Sequence, residues 1–171
     1  MLPILKTKRL LLRELEESDW KIICYLRSDP IMNQYVQRSR AETKDEALAF
    51  IKNIKKGILE KSIYYWGITE IGHQDIIGCI SLWKFSKDRK VVEVGYELSQ
   101  HKHGKGLMTE ALQVVTDFAF DDLNVNCIEA FTHRDNTASR KLLEKNIFQL
   151  AEERKDENNE NNVIYQRYIR S

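Results

Sequence analysis

The spacing of apolar positions changes several times along the chain, and each change predicts a new element. Over residues 7–14, Leu10 and Leu12 alternate with Arg9, Leu11 and Arg13, which predicts a first strand. Ser18 then offers an N-cap for an amphipathic helix carrying Ile22, Ile23 and Leu26, which Pro30 ends. Thr43 caps a second helical pattern, in which Ala47, Phe50, Ile51, Ile54 and Ile58 recur on one face. Residues 63–69, 76–85 and 91–98 are rich in Ile, Val, Tyr and Trp. The polar segments Gly72-His73-Gln74-Asp75 and Lys87-Asp88-Arg89-Lys90 separate them, a pattern of antiparallel hairpins. Helical spacing returns over residues 104–120, where Leu107, Ala111, Val114, Val115 and Phe118 share a face. A short strand at 127–132, a helix at 136–145 and a closing hairpin from 148–153 and 163–169 complete the chain.

The resulting order, β-α-α-β-β-β-α-β-α-β-β, describes an α+β domain with a mixed sheet and helices on both faces. A chain of 171 residues suits one domain spanning 1–171. Twenty-seven basic residues against 26 acidic ones leave a net charge of +1. With no basic run, the chain gives no basis for direct nucleic-acid binding. Cys24, Cys79 and Cys127 are too widely spaced for a zinc site or a disulfide framework, so no metal is expected. Lys6, Lys8, Arg9 and Arg13 interrupt the apolar residues of the N-terminus, which therefore lacks the pattern of a signal peptide. No segment approaches the ~20 apolar residues that span a bilayer. The expectation is a cytoplasmic protein with no membrane association.

One segment carries chemistry. The strand ending near Leu98 runs into His103-Gly104-Lys105-Gly106 and then directly into a helix. Two glycines let the backbone turn sharply and approach a ligand closely. The first helical turn presents free N–H groups and the positive end of the helix dipole, which suit a pyrophosphate. Lys102 and Lys105 add charge nearby. From spacing alone, a phosphate site and a plain turn remain equally open. The dinucleotide fingerprint needs a third glycine where Thr109 stands, and a P-loop needs Lys-Ser/Thr where Leu107-Met108 follow Gly106.

The run Gly95-Tyr96-Glu97-Leu98 followed by Gly104-Lys105-Gly106-Leu107-Met108-Thr109-Glu110-Ala111-Leu112 resembles the acetyl-CoA motif of the GNAT N-acetyltransferase superfamily. Residues 136–148, from Asn136 to Phe148, resemble its second conserved block. Thr7-Lys8-Arg9-Leu10-Leu11-Leu12-Arg13 is similar to the opening of the ribosomal-protein N-acetyltransferase branch. The resemblance implies a single GNAT-like domain with a mostly antiparallel central sheet, and acetyl-CoA as the acetyl donor. It implies that pantetheine lies beside Leu98 and Ser99, and that the diphosphate meets His103, Gly104, Lys105, Gly106, Leu107, Met108 and Thr109. Asn136 would face the pantetheine and Ser139 would lie near the sulfur. A homodimer is also a family expectation. The sequence departs from the pattern at His101, where many members carry Gln or Arg, and at Ile147, where glycine usually precedes Phe148. Leu143 stands where some small-amine enzymes carry a tyrosine acid, so that route is closed.

Acetyl transfer from a thioester to an amine needs a base for the ammonium proton, polarisation of the carbonyl and a proton for the departing thiolate. Glu93 and Glu97 are the candidate bases; their even spacing puts both on one strand face, and Glu93 lies nearer the expected acceptor cleft. Ser139 is the candidate for the sulfur, and the N–H of Leu98 or Ser99 for the carbonyl. The expected acceptor is a primary amine, either a peptide N-terminus or a small amine such as a polyamine or antibiotic. A non-catalytic acyl-CoA-binding module is the alternative from another class.

Overall fold

The computed structural model describes residues 1–169. Eight strands form one sheet in the order β1-β2-β3-β4-β5-β6-β8-β7. They are β1 (Leu5–Lys6), β2 (Leu10–Arg13), β3 (Tyr64–Glu70), β4 (Ile76–Trp83), β5 (Val91–Leu98), β6 (Cys127–His133), β7 (Gln149–Leu150) and β8 (Asn162–Tyr168). The helices are α1 (Trp20–Ser28), α2 (Lys44–Leu59), α3 (Leu107–Asp121) and α4 (Thr137–Lys145). Every neighbouring pair is antiparallel except β5 and β6. The α+β class and the helices on both faces are as the sequence predicts.

Side-chain alternation on β3 sorts the layers. Trp66 points to one face, where Phe118 of α3 meets it edge-on at 5.6 Å. Its neighbour Tyr65 points to the other, against Phe50 of α2 at 5.8 Å. Trp66 is fully buried and donates its indole N–H to the Pro3 carbonyl at 2.7 Å, so its polar atom is satisfied.

Several predicted boundaries move for local reasons. The strand expected over 7–14 is shortened to β2, because Thr7 turns the chain by accepting from the Leu10 N–H through its hydroxyl, and β1 lies before the expected range. Ser18 is not the cap of α1. It lies in a 3-10 turn, and Asp19 precedes the helix, its carboxylate gripped by both Arg13 guanidinium nitrogens and the Glu16 N–H. Thr43 does cap α2, in a reciprocal box with Glu46. The helix expected from residue 104 starts at Leu107, because Gly104 and Gly106 hold φ of +73° and +74°, outside helical space. At the end of α4, Ile147 takes the glycine's left-handed conformation at φ +68°. Phe148 N–H bonds the Leu143 carbonyl there, so the expected turn persists despite a β-branched residue.

The feature that positions a site is a fork. β5 and β6 pair over three rungs, Val91↔Cys127 to Glu93↔Glu129. Beyond them β5 stays with β4 as far as Leu98, while β6 stays with β8 as far as His133. Gly78 helps hold β5 to β4, since a Cβ there would sit 2.3 Å from the Glu97 carbonyl oxygen. Both forked strands point their C-terminal ends at the opening, where α3 follows β5 and α4 follows β6. Parallel strands that separate in this way place a crevice at their carboxyl ends.

Candidate active site

Residues 103–109 form a cradle at the mouth of the fork. Gly106 is the N-cap of α3 and supplies no side chain, so the amides of Leu107, Met108 and Thr109 are not capped from that position. Gly104, Lys105 and Gly106 are exposed, whereas the side chains of Leu107 and Met108 anchor the turn in the core. Lys102 does not face the cradle as expected: its ammonium pairs with Glu70. His101 lies parallel to the Tyr25 ring of α1 at 6.3 Å. Charge comes instead from Arg9, which donates to the Lys105 carbonyl at 3.0 Å and to Glu110 at 2.8 Å. Arg9 thereby offsets the one carboxylate in the first turn of α3, and Thr7 bonds that carboxylate as well. A surface groove lined by Lys6, Arg9, Gly106, Glu110, Asp117 and Lys145 extends from the cradle. Arg9 and Lys145 lie far from residue 105 in sequence, so linear spacing did not connect them.

Register decides which backbone groups face the opening. The N–H of Ser99 donates to the Ile77 carbonyl at 2.8 Å, which removes it as a carbonyl-polarising donor. Gly78 pairs with Leu98 as a non-hydrogen-bonded rung, so the alternation of the ladder turns Val94, Tyr96 and Leu98 backbone groups toward β6. Leu98 N–H is thus the donor of the two that faces the fork. Its carbonyl accepts from the His103 ring at 2.6 Å.

Across the opening, Asn136 caps α4 by accepting from the Ser139 N–H at 3.1 Å. Ser139 Oγ lies 2.7 Å from the hydroxyl of Tyr96, a contact joining β5 to α4 that sequence reading missed. Burial pushes the Tyr96 phenol up, so it stays neutral at physiological pH.

The opposite sheet face carries the carboxylates. The β4–β5 register runs without a shift, so Glu93 and Glu97 do share a face, with Gly95 between them. Parallel pairing puts Glu129 beside Glu93, and alternation adds Phe131 and His133 to this face. The two candidate bases differ in their partners. Glu97 meets Arg38 at 2.5 Å, and Arg38 also donates to the Asn33 side chain and the Leu26 carbonyl at 2.9 and 2.8 Å. That network ties the segment after α1 to β5. Glu93 is 11% exposed and meets Lys84 at 3.2 Å. Burial pushes its carboxyl above the usual carboxylate range; Lys84 pulls the other way, and Asp156 and Glu129 add to the rise. A carboxyl so raised is suited to accepting protons. Tyr35 packs its ring 5.0 Å from that of His133 and roofs the open end. Among the described residues, no group of three or more His, Cys, Asp or Glu side chains is arranged to hold a metal ion.

The sequence profile described as "Acetyltransferase (GNAT) domain" matches residues 9–149. The chain belongs to the GNAT acetyltransferase family. A related GNAT protein, the uncharacterized N-acetyltransferase p20 of Bacillus licheniformis, is 32% identical over 145 residues, covering 85% of this chain and 82% of its own. The uncharacterized N-acetyltransferase YoaA of Bacillus subtilis strain 168 is 30% identical over 149 residues, covering 87% and 84%. Among solved structures, the RimL ribosomal α-N-protein acetyltransferase in complex with coenzyme A superposes with a TM-score of 0.84 at 18% identity, covering 98% of each chain. This is therefore a GNAT acetyltransferase, of a family that uses acetyl-CoA. In this GNAT fold the fork presents strand-edge groups on β5 and a glycine turn at one end, with Lys6, Arg9 and Lys145 among Glu110 and Asp117 beyond it.

Proposed function

We propose that the chain transfers an acetyl group from acetyl-CoA to a primary α-amine, with a protein or peptide N-terminus as acceptor. The observation that carries this reading is the pairing of an uncapped glycine cradle at the fork mouth with the raised carboxyl of Glu93 at its vertex. Acetyl-CoA supplies an activated acyl group, and the residues of this chain do the rest. Gly104 to Thr109 hold the diphosphate, and Leu98 N–H polarises the carbonyl. Glu93 takes the proton from the acceptor ammonium, whose neutral nitrogen then attacks; the C–N bond forms as the C–S bond breaks. Ser139, held by Tyr96, donates a hydrogen bond to the departing sulfur, and the thiolate takes its proton from solvent. No covalent enzyme intermediate is involved.

Charge balance favours an α-amine over a polyamine. The three carboxylates that β5 and β6 carry on the acceptor face each have a basic partner: Glu93 has Lys84, Glu97 has Arg38 and Glu129 has Arg154. A face neutralised in this way has little pull for a multiply charged cation. An α-ammonium, with a pKa of about 8, also yields its proton to a carboxylate more readily than a side-chain ammonium near 10.4. The RimL neighbour is a protein α-N-acetyltransferase by its own description, which agrees with this acceptor class. Acetyl-CoA supply and three cysteines without disulfide partners suit the cytoplasm. No helix among the described residues is long and apolar enough to cross a membrane.

The test is release of free thiol from acetyl-CoA across peptides of varied N-terminal residue and a panel of small amines. Peptide α-amines are expected to give the highest kcat/KM. Acetyl-CoA at a hundredfold excess over its Kd should stabilise the fold by about 2.7 kcal/mol in thermal unfolding. No protection by acetyl-CoA would remove the reading, and protection without thiol release from any amine would leave only an acyl-CoA-binding module. For the sulfur, Ser139→Ala and Tyr96→Phe should each lower kcat by about tenfold, the worth of one hydrogen bond. The KM for acetyl-CoA should stay nearly constant. Unchanged kcat in Ser139→Ala would take that hydroxyl out of the reaction.

A further inference from the structure

The lysine beside Glu93 is not placed like an ordinary surface lysine. Lys84 follows β4 with φ of +48°, in the left-handed region that L side chains rarely adopt. Its ammonium lies 4.2 Å from the Trp83 ring centroid, 5.8 Å from that of Phe131 and 3.2 Å from Glu93 Oε2. Two aromatic rings and one carboxylate around a single nitrogen form an ammonium-binding arrangement. Glu93 is the last residue of β5 paired with β6, so the cage stands at the vertex of the fork. The Lys84 side chain is 56% exposed, and it lines an open pocket together with Phe50, Lys56, Glu60, Ile63 and Trp83.

We infer that Trp83, Phe131 and Glu93 form the binding cage for the ammonium group of the acceptor, and that Lys84 is a built-in occupant that the acceptor must displace. The inference rests on the proposed transfer to an amine and assigns the acceptor's charged nitrogen to this cage. An incoming ammonium replaces one cation with another, so the cage keeps its charge balance. Glu93 exchanges a partner fixed on the chain for one that can give up its proton and react. Affinity for the acceptor is then reduced by the fraction of time that Lys84 fills the cage.

The experiment uses n-butylammonium, a plain primary ammonium, titrated against the full chain without acetyl-CoA and followed by saturation-transfer NMR. Lys84→Met should bind it roughly three- to tenfold tighter than the native protein, the range expected for releasing one exposed ion pair with a cation–π contact. Lys84→Arg, which keeps a cation able to fill the cage, should restore native affinity. Adding Trp83→Leu to Lys84→Met should remove the gain, with circular dichroism confirming that each variant is folded. Equal or weaker binding by folded Lys84→Met overturns the inference, as does a gain that survives loss of Trp83. Because acetyl-CoA is absent, such a failure leaves the acetyl-transfer reading standing. Tighter binding that depends on Trp83 would support the cage even where the thiol-release assay finds no acetylated amine.

Discussion

Replacing Glu93 by glutamine should lower kcat by ~10²–10⁴-fold, the usual contribution of a positioned general base, with little change in the KM for acetyl-CoA. The pH dependence follows from the raised carboxyl. The base works only when ionised, so activity falls as pH falls through its pKa, and the acid limb of kcat/KM should lie above the ordinary range for glutamate. Glu93→Gln should lose that limb from its residual activity. Stability runs in the opposite sense. A folded pKa above the unfolded one means that Glu93 stabilises the fold most below its unfolded pKa, and that this contribution is lost as pH rises through the folded value. Glutamine cannot ionise, so the variant should unfold at neutral pH no earlier than the native protein does. Calorimetry at pH 7.5 beside steady-state kinetics checks both halves, and undiminished kcat in a folded Glu93→Gln would assign the proton transfer elsewhere.

A comparable loss, this time in binding, is expected at the cradle. Gly106 sits at φ +74°, and a Cβ added there would lie 3.5 Å from Arg9. Gly106→Val places a β-branched side chain in left-handed backbone and, on the proposed pose, beside the diphosphate. Losing two or three charge-assisted amide bonds should weaken acetyl-CoA binding at least ~100-fold. Calorimetric titration with acetyl-CoA measures this, and α3 content by circular dichroism separates it from unfolding. Retained affinity would move the diphosphate away from residues 104–109.

The parts of this site that were legible in the sequence are those fixed by local rules. Gly104 and Gly106 announce a backbone that cannot be helical, Asn136 and Thr43 announce caps, and the two-residue period puts Glu93 and Glu97 on one face. What was not legible is every contact formed between distant segments. Arg9 reaches Glu110 across 101 positions, Arg38 reaches Glu97 across 59, and Tyr96 reaches Ser139 across 43. Those contacts sort residues of the same chemical type: periodicity makes Glu93 and Glu97 equivalent, but only the packing shows that Glu97 is held in an arginine network. The misplaced cap at Ser18 has the same origin, because the Arg13 side chain from β2 selects Asp19 instead. The departure at Ile147 was visible in the sequence, but its result was not. The turn stays and the residue bears the left-handed conformation.

The fork also bears on how the molecule avoids its own kind. Where β5 parts from β6, the sheet has two inner edges with backbone groups turned toward each other, and open edges invite any extended chain to add a strand. Edge strands usually carry charges or bulges against this, but a gap that must admit an extended ligand cannot be filled with them. The Tyr96–Ser139 bridge and the His103 ring on the Leu98 carbonyl obstruct part of that edge. They take up room and a carbonyl that a foreign strand would need along it. On the proposed mechanism, the contacts that orient the chemistry thus also guard against misassembly.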